Sequence, residues 1–228
     1  MRGKIGAAIR ENRGFIVFLL LLGVFRTAIA DYNPVPSGSM RPTLLEGDVV
    51  FVNRLAYNLK IPLTNVVVAK LGDPARGDIV TFFSPRDGTR LIKRLVAVPG
   101  DVIEMRDKIL VINGEPASYE PIGRAREEPQ PGLEIDALRL EERAGDRTHV
   151  VQWFHLPDGD PRDSFGPYRI PADHYLMLGD NRDNSADSRV FGLVPRELLI
   201  GRAVATLASA DILTNWSPRF DRFGRKLE

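Results

Sequence analysis

The sequence predicts a mainly β protein in which an antiparallel β-sheet domain follows a single N-terminal transmembrane helix. Short apolar or alternating runs recur between turn signals along most of the chain, as is typical of strands. One longer and almost uniformly apolar run lies near the N-terminus beside basic residues. Gly (20) and Pro (17) are together more frequent than average among the 228 residues, which favours a turn-rich fold over a helical bundle.

The charge balance and the absence of cysteine exclude several functions. The 31 Lys and Arg residues and the 30 Asp and Glu residues give a formal net charge of +1, which excludes nucleic-acid binding through bulk positive charge. Because the sequence contains no Cys, disulfides, thiolate metal sites and a cysteine nucleophile are excluded as well. The length suffices for one large domain, or for an anchor and a domain with its own core.

Residues 1–13 form a basic stub, and residues 14–30 predict a transmembrane anchor. The stub contains four Lys or Arg residues and one Glu. By the positive-inside rule the stub lies in the cytoplasm, and the chain after Asp31 lies outside. The apolar run from Phe15 to Ala30 would form a helix of about 24 Å, a little shorter than the hydrocarbon core of a bilayer.

Two other interpretations of this run stay open. A buried core helix is disfavoured because the run is apolar on all faces and lies beside a basic tail. A cleavable signal peptide is suggested by Ala28-Ile29-Ala30, which has the small-x-small form of a cleavage site. Arg26, between the apolar run and that site, argues against cleavage and is expected to reach the lipid headgroups instead.

Past the anchor, residues 31–114 and 149–215 predict one β domain. The strand-like runs are residues 48–52, 78–83, 91–98, 102–105, 108–112, 149–156, 174–178 and 200–207. Asn113-Gly114 is a strong signal for a two-residue hairpin turn. Residues 115–148 are rich in charge and proline without a clear period, and predict an inserted loop or small subdomain without catalytic residues. Residues 216–228 form a basic-aromatic tail, predicted as a solvated end with membrane-surface contact as the alternative.

A first candidate for chemistry is the segment Pro36-Ser37-Gly38-Ser39-Met40. Glycine between two serines permits a sharp turn that exposes one hydroxyl and directs a backbone N–H to the same point. Ser-Gly-Ser is also ordinary linker sequence. The segment matches neither the Gly-x-Ser-x-Gly elbow nor Ser-x-x-Lys, because position 42 is Pro.

A second candidate is Lys93, in the strand-like run that begins near residue 90. Strand alternation places Lys93 and Arg94 on opposite faces, and Lys93 on the same face as Leu91 and Leu95. Burial among apolar side chains would lower the lysine pKa from about 10.4 toward about 7, which suits a general base. The alternative is a surface lysine on an edge strand.

The third candidate is the dense polar run of residues 179–189. A calcium loop that starts at Asp183 is rejected, because Ser188 and Val194 stand where glycine and glutamate are needed. Interleaved Asp and Arg side chains instead predict a rigid turn that holds a hydroxyl such as Ser185. A Ser-His-Asp triad built on His174 is a minor alternative.

Together these segments resemble the bacterial type I signal peptidase (leader peptidase) family. The resemblance covers residues 15 to 210 in order and spacing, and its most specific part is the last motif. It is carried by the apolar anchor and by residues 36–40, 76–80, 92–94, 99–101 and 179–189. It implies a membrane-bound Ser-Lys endopeptidase that removes signal peptides after small-x-small sites of exported preproteins, on the outer side of the cytoplasmic membrane.

The resemblance also implies a role for each matching residue. Ser39 corresponds to the nucleophile and Lys93 to the general base. Ser185 corresponds to the residue that orients the lysine amine, and Ser37 to the side-chain donor that completes an oxyanion hole with the Ser39 N–H. The charged residues that brace the site are Arg94, Asp180, Arg182, Asp187 and Arg189. Two departures are Phe191, where the family often has Trp, and a single anchor where some members have two.

Substrates are expected to bind as an added strand beside residues 33–38 and 90–93. The candidate walls of the shallow pocket that selects small side chains are Pro36, Met40, Leu44 and Ile92. No metal or organic cofactor is expected, and the expected partners are exported preproteins, membrane lipids and the nearby export translocon, with no nucleic acid.

Three alternative functions stay open. The first is a pilin or conjugation-system processing peptidase, and the second is a self-cleaving repressor, whose DNA-binding domain would occupy the place of the anchor. The third is a non-enzymatic anchored envelope domain.

Overall fold

The computed structural model describes residues 10–64, 66–130, 132–154 and 160–227. Helix α1 (Arg13–Ala28) lies near the start of the described chain, and the short helix α2 (Ser188–Phe191) lies near its end. Most apolar side chains of α1 are exposed, for example Phe15, Leu20 and Leu21. Within the described ranges, no helix is both long and apolar enough to be a candidate membrane span. Residues 1–9 of the predicted basic stub lie outside these ranges.

Strands form almost all of the remaining regular structure, so the predicted mainly β, antiparallel fold is confirmed. In chain order they are β1 (Ala30–Pro34), β2 (Asp48–Asn53), β3 (Asn58–Lys60), β4 (Val67–Lys70), β5 (Ile79–Phe83), β6 (Arg90–Ala97), β7 (Val102–Arg106), β8 (Ile109–Ile112), β9 (Glu115–Pro116), β10 (Ser118–Gln130), β11 (Leu133–Ala144), β12 (Arg147–Phe154), β13 (Phe165–Arg169), β14 (His174–Leu178), β15 (Val194–Pro195) and β16 (Leu199–Ser209). Each predicted strand-like run overlaps one of these strands. The turn at Asn113-Gly114 joins β8 to β9 with positive φ at both residues, as a two-residue hairpin requires.

The largest sheet has seven strands in the order β1-β2-β16-β5-β6-β14-β15. Smaller sheets contain β13-β7-β8-β9, β10-β11-β12 and β3-β4. Apolar side chains of β5, β6 and β14 pack on both faces of the large sheet, which explains why these runs are apolar with little alternation. A further cluster beneath β2 contains Met40, Leu44 and Val50, and it supports the turn that carries Ser39.

Residues 115–148, predicted as an inserted loop or small subdomain, form mostly β structure. Strands β10 and β11 pair antiparallel as a long hairpin, and β12 pairs with the other edge of β11. Ala137, Leu140 and Glu142 of β11 are buried, so the charged sequence still presents a face to the core. The long ladder of backbone hydrogen bonds provides a strand structure that the sequence period does not indicate.

The junction between α1 and β1 is continuous. Ala28 ends the helix, while Ala30 already pairs with Asn53 of β2, and both alanines are mostly buried. A cleavage after Ala30 would therefore cut the chain inside a paired strand.

Candidate active site

Ser39 lies in a single 3-10 turn, Gly38–Met40, between β1 and β2. Asn181 fixes the turn from the opposite side of the site: its Nδ2 donates to the Gly38 carbonyl at 3.0 Å and its backbone N–H donates to the Ser39 carbonyl at 3.2 Å. Met40 points into the core and is completely buried. The turn that carries the serine is thus held by the two Asn181 hydrogen bonds and by the packing of Met40 in the core.

Lys93 lies on β6, in the interior of the large sheet, and only 3% of the residue is exposed. Its Nζ donates to the Ser39 Oγ at 2.5 Å. Burial lowers the lysine pKa to about 8, against the opposing charges of Asp187 and Asp180, and the charge of Arg189 lowers it further. About one-tenth of this amine is therefore neutral at pH 7, far more than for an ordinary lysine, and this neutral form can accept a proton from the serine hydroxyl.

Arg94, the next residue, forms a buried ion pair with Asp180. The two guanidinium nitrogens Nε and Nη2 each donate to an Asp180 oxygen at 2.8 Å. Thr43 Oγ1 donates to the same carboxylate at 2.5 Å. Burial alone would raise the pKa of the Asp180 carboxyl, but Arg94 holds this pKa below its ordinary value. The pair therefore fixes the loop after β14 to β6, directly beside Lys93.

Asp187 and Arg189 brace the other end of the polar loop. Arg189 Nε and Nη2 donate to the Asp187 oxygens at 2.9 and 2.8 Å. The Asp187 carboxylate also accepts from the backbone N–H of Gly179 at 3.1 Å and caps helix α2. Gly179 leaves no room for a side chain, since a Cβ there would lie 2.5 Å from the Ser39 carbonyl oxygen.

Arg182 joins this loop to the long hairpin. Its Nη2 donates to Glu142 Oε1 at 2.7 Å and its Nη1 to Glu142 Oε2 at 2.5 Å. Tyr119 donates to the same carboxylate at 2.7 Å. Burial would raise the pKa of the Glu142 carboxyl, but Arg182 lowers it below its ordinary value. The hairpin of β10 and β11 therefore supports the site through a buried ion pair.

The two remaining serines differ in position. The Ser185 hydroxyl is buried near Gly179 and beside the Asp187 carboxylate, and among the described residues it forms no hydrogen bond to Lys93, so the predicted contact is absent. Ser37 precedes the turn and is exposed, and its side chain does not cap the turn. It lies on the wall of the groove described next.

A groove of about 270 Å³ runs past the Ser39–Lys93 pair. It is lined by Pro36, Ser37, Ser39, Ile92 and Lys93, together with Arg26, Tyr32, Asn33, Pro34, Thr81, Arg90 and Leu91. Three strands separate β1 from β6 in the sheet order, yet Arg90 of β6 donates to Asp31 of β1 at 2.6 Å. The sheet therefore curls, and the groove lies between these two strands.

Both walls of the groove have unpaired backbone edges. Strand β1 ends the sheet, and among the described strands it pairs only with β2. Strand β6 pairs with β5 along residues 90–94, but on its other side β14 pairs only with residues 94–97. Among the described strands, residues 90–93 therefore have one unpaired backbone edge. An extended peptide could accept and donate backbone hydrogen bonds on both sides.

Two predicted pocket walls do not lie in the groove. Met40 and Leu44 are completely buried and pack with Val50 and Ile79 beneath the turn. The reason is the 3-10 turn, which exposes Ser39 and directs the next side chain inward. Pro36 and Ile92 do line the groove.

Three residues at this site were absent from the sequence prediction. Thr43 donates to Asp180, and Asn181 donates to the Gly38 carbonyl in the turn that carries Ser39. Glu142 accepts from Arg182 in a buried ion pair. Asn181 lies inside the polar motif, so its proximity could have been inferred. No local sequence pattern predicts the role of Glu142, because its partner Arg182 is 40 residues away along the chain.

This fold and this pair of side chains define a class: a mainly β hydrolase with a serine beside a buried, low-pKa lysine. The family model described as signal peptidase, peptidase S26, matches residues 9–208. The chain belongs to this family of peptidases, and it is a serine endopeptidase.

Two relatives from Pseudomonas agree with the family assignment. A signal peptidase I of Pseudomonas fluorescens is 34% identical, and the alignment covers 95% of this chain and 78% of that protein. A signal peptidase I of Pseudomonas aeruginosa is 32% identical with the same two coverages. A solved signal peptidase I structure from Enterococcus faecalis is 28% identical, with a TM-score of 0.35, and the match covers 57% of this chain and 96% of that chain.

Proposed function

We propose that this protein is a membrane-bound signal peptidase I that cleaves exported preproteins after small-x-small sites with a Ser39–Lys93 dyad. The single observation that carries the proposal is the 2.5 Å hydrogen bond between the buried amine of Lys93 and the hydroxyl of Ser39. A nucleophilic serine needs an adjacent base, and an amine with a depressed pKa provides one.

The proposed reaction uses only protein side chains and water. Neutral Lys93 takes the Ser39 proton while Oγ attacks the scissile carbonyl, and the ammonium then donates a proton to the leaving amine. The Ser37 hydroxyl and the Ser39 backbone N–H stabilise the oxyanion. Water, activated by Lys93, hydrolyses the acyl-enzyme. Ser185 does not contact Lys93 in this structure, and in the proposed mechanism its hydroxyl orients the amine once substrate is bound.

Substrate is proposed to lie in the groove as an extended strand between β1 and residues 90–93 of β6. The unpaired edges on both sides support this placement. Ile92 and Pro36 line the groove together with Ser39, and apolar walls at the serine would select small side chains by steric exclusion. We therefore expect an Ala-x-Ala preference.

Helix α1 is proposed to attach the protein to the cytoplasmic membrane, with the N-terminus in the cytoplasm and the β domain outside. Its apolar side chains from Phe15 to Phe25 are largely exposed, which favours lipid over water as their surroundings. Asp31, directly after the helix, contacts both Arg26 and Arg90. The groove is therefore tied to the end of the helix, close to lipid and to a preprotein that leaves the translocon.

The function is tested by cleavage of a purified preprotein by the full chain in nonionic detergent. We expect one cut, which N-terminal sequencing of the product places after a small-x-small site. A preprotein with leucine in place of the alanine before the cut is the control and should remain intact. Absence of cleavage, or equal cleavage of the control, would contradict the proposal. Cleavage of pilin precursors alone would indicate the specialised peptidase instead.

The activity is expected to rise with pH through the pKa of Lys93. Only the neutral amine can act as a base, and burial lowers its pKa to about 8. Below that pH, kcat/KM should fall roughly tenfold per unit as the ammonium form accumulates, and above it the rate should level off. Initial rates at constant ionic strength, with circular dichroism at each pH to verify folding, measure this profile. A profile that stays flat between about pH 6 and 9 would rule out Lys93 as the titrating base.

A further inference from the structure

A second cavity, of about 580 Å³, lies between strand β12 and the C-terminal segment. Its cationic lining residues are Arg94, Arg139, Arg222, Arg225 and Lys226. No carboxylate is among the lining residues in the described chain, although the sequence contains 30 Asp and Glu residues. The cations of this lining therefore face no carboxylate of the lining itself, and none of the lining residues also lines the groove that contains Ser39.

The five cations are not equally available for a ligand. Arg94 is paired with Asp180, and Arg222 donates to Asp48. Arg139 is only 3.5 Å from the Glu127 carboxylate. Arg225 and Lys226 are exposed and form no ion pair with any described residue. The last two are thus the charges most able to bind an anion.

Backbone contacts hold the segment that carries Arg225 and Lys226 against strand β16. The Arg225 carbonyl accepts from the Thr206 N–H at 2.8 Å, and Lys226 forms a bridge with Ala205. The Leu227 N–H donates to the Val204 carbonyl at 3.0 Å. The C-terminal segment therefore lies along residues 204–206 of β16 through an isolated β-bridge, so the backbone that carries these two cations is fixed at the cavity wall.

His149 provides an independent indication of a ligand. It lines the same cavity, and only 9% of its side chain is exposed. Its Nε2 lies 3.3 Å from a Glu142 oxygen, yet neither ring nitrogen forms a hydrogen bond among the described residues. Burial lowers the pKa of the imidazole to about 4, so the ring is neutral and keeps one N–H donor. Buried polar groups usually have partners, and this ring lacks one.

We propose that this cavity binds a phosphate group, either free phosphate or the headgroup of an anionic phospholipid. Arg225 and Lys226 provide charge, Arg139 provides a planar guanidinium that binds phosphate oxygens in pairs, and neutral His149 provides an N–H. A tetrahedral anion accepts hydrogen bonds in several directions, which matches donors that come from two strands and the C-terminal segment. The site is separate from the peptidase groove and does not depend on the proposed dyad.

The test measures the thermal unfolding midpoint of the full chain in nonionic detergent, with inorganic phosphate against chloride at equal ionic strength. A ligand that binds the folded state raises the midpoint in a saturable way. The variant Arg225→Gln/Lys226→Gln should bind phosphate about tenfold more weakly, because two charge-assisted contacts are lost. Thr148→Glu, at the exposed cavity wall, places a carboxylate among the cations and should abolish the shift.

The matched control is Arg106→Gln/Arg169→Gln, which removes two exposed charges elsewhere and should respond to phosphate as the wild type does. Dihexanoyl phosphatidylglycerol, compared with dihexanoyl phosphatidylcholine, distinguishes the two sources. A shift with phosphatidylglycerol that the cavity variants lose assigns a lipid headgroup, and a shift with phosphate alone assigns free phosphate. If neither probe shifts the wild type, or if the cavity and control variants respond equally, the proposal is wrong.

Discussion

Replacing Ser39 by alanine, or Lys93 by methionine, is expected to lower preprotein cleavage by at least ~10³-fold. The first change removes the hydroxyl that attacks the carbonyl. The second keeps the volume of the buried side chain but removes the amine that accepts the proton from Ser39 Oγ. Because both residues act in one step, the double variant should be no slower than either single variant. Cleavage of a purified preprotein, followed by gel densitometry, measures these rates.

Lys60 provides the matched control for Lys93. It is also buried, and burial lowers its pKa to about 8. Its Nζ, however, donates to the backbone carbonyls of Glu197 and Leu199, so it has no serine to activate. Lys60→Met should therefore retain cleavage in the folded protein, as should Ser217→Ala at an exposed serine. Near-normal activity of Lys93→Met would refute the dyad, whereas equal losses in both lysine variants would indicate a general effect on folding.

The sequence predicts the strands because they depend on local patterns, whereas the pairing of Ser39 with Lys93 is implied only by the resemblance. Alternation around Lys93 places it beside Leu91 and Leu95, which fits a buried amine and equally a surface lysine on an edge strand. The Ser-Gly-Ser segment indicates a turn, and its position relative to Lys93 follows only from the resemblance to a family. Alternating runs predict strands reliably because a half-buried strand must place its apolar side chains on one face.

The groove and the Glu142–Arg182 ion pair could not be predicted in the same way, because they depend on contacts between distant segments. The groove exists because the sheet curls until Arg90 reaches Asp31, a contact across 59 residues. Glu142 lies in a stretch whose charges suggest a solvated loop, yet it is buried against Arg182. The sequence shows that Glu142 is a carboxylate, but only the folded structure shows that it is buried and that Arg182 compensates its charge.

Gly179→Ala is expected to impair both stability and cleavage, because one added methyl group meets the two serines of the site. Gly179 does not require glycine for its backbone angles, since its φ is not positive. It requires glycine for space: a Cβ would lie 2.5 Å from both the Ser39 carbonyl oxygen and the Ser185 Cβ, and closer still to the Ser185 Oγ. Overpacking of this kind costs about 1–3 kcal/mol or more.

Cleavage should fall further than stability suggests. The Ser39 carbonyl must move away from the new methyl group, and Oγ moves with it relative to Lys93. A displacement of about 1 Å at a reacting atom lowers the rate roughly 10²-fold. Urea unfolding and preprotein cleavage measure the two effects separately. Gly123→Ala is the control, because a Cβ at Gly123 has no neighbour within 4 Å and its φ is not positive.

The double variant Gly179→Ala/Ser185→Gly separates the two contacts. Ser185→Gly removes the side chain that the new methyl group would overlap, so stability should recover in part relative to Gly179→Ala, with Ser185→Gly alone as the reference. The contact with the Ser39 carbonyl remains, so cleavage should stay well below that of Ser185→Gly. Full recovery of cleavage would mean that Gly179→Ala acts only through its overlap with the Ser185 side chain and not through the Ser39 carbonyl. Wild-type stability and activity in Gly179→Ala itself would mean that the loop after β14 does not fix the position of Ser39.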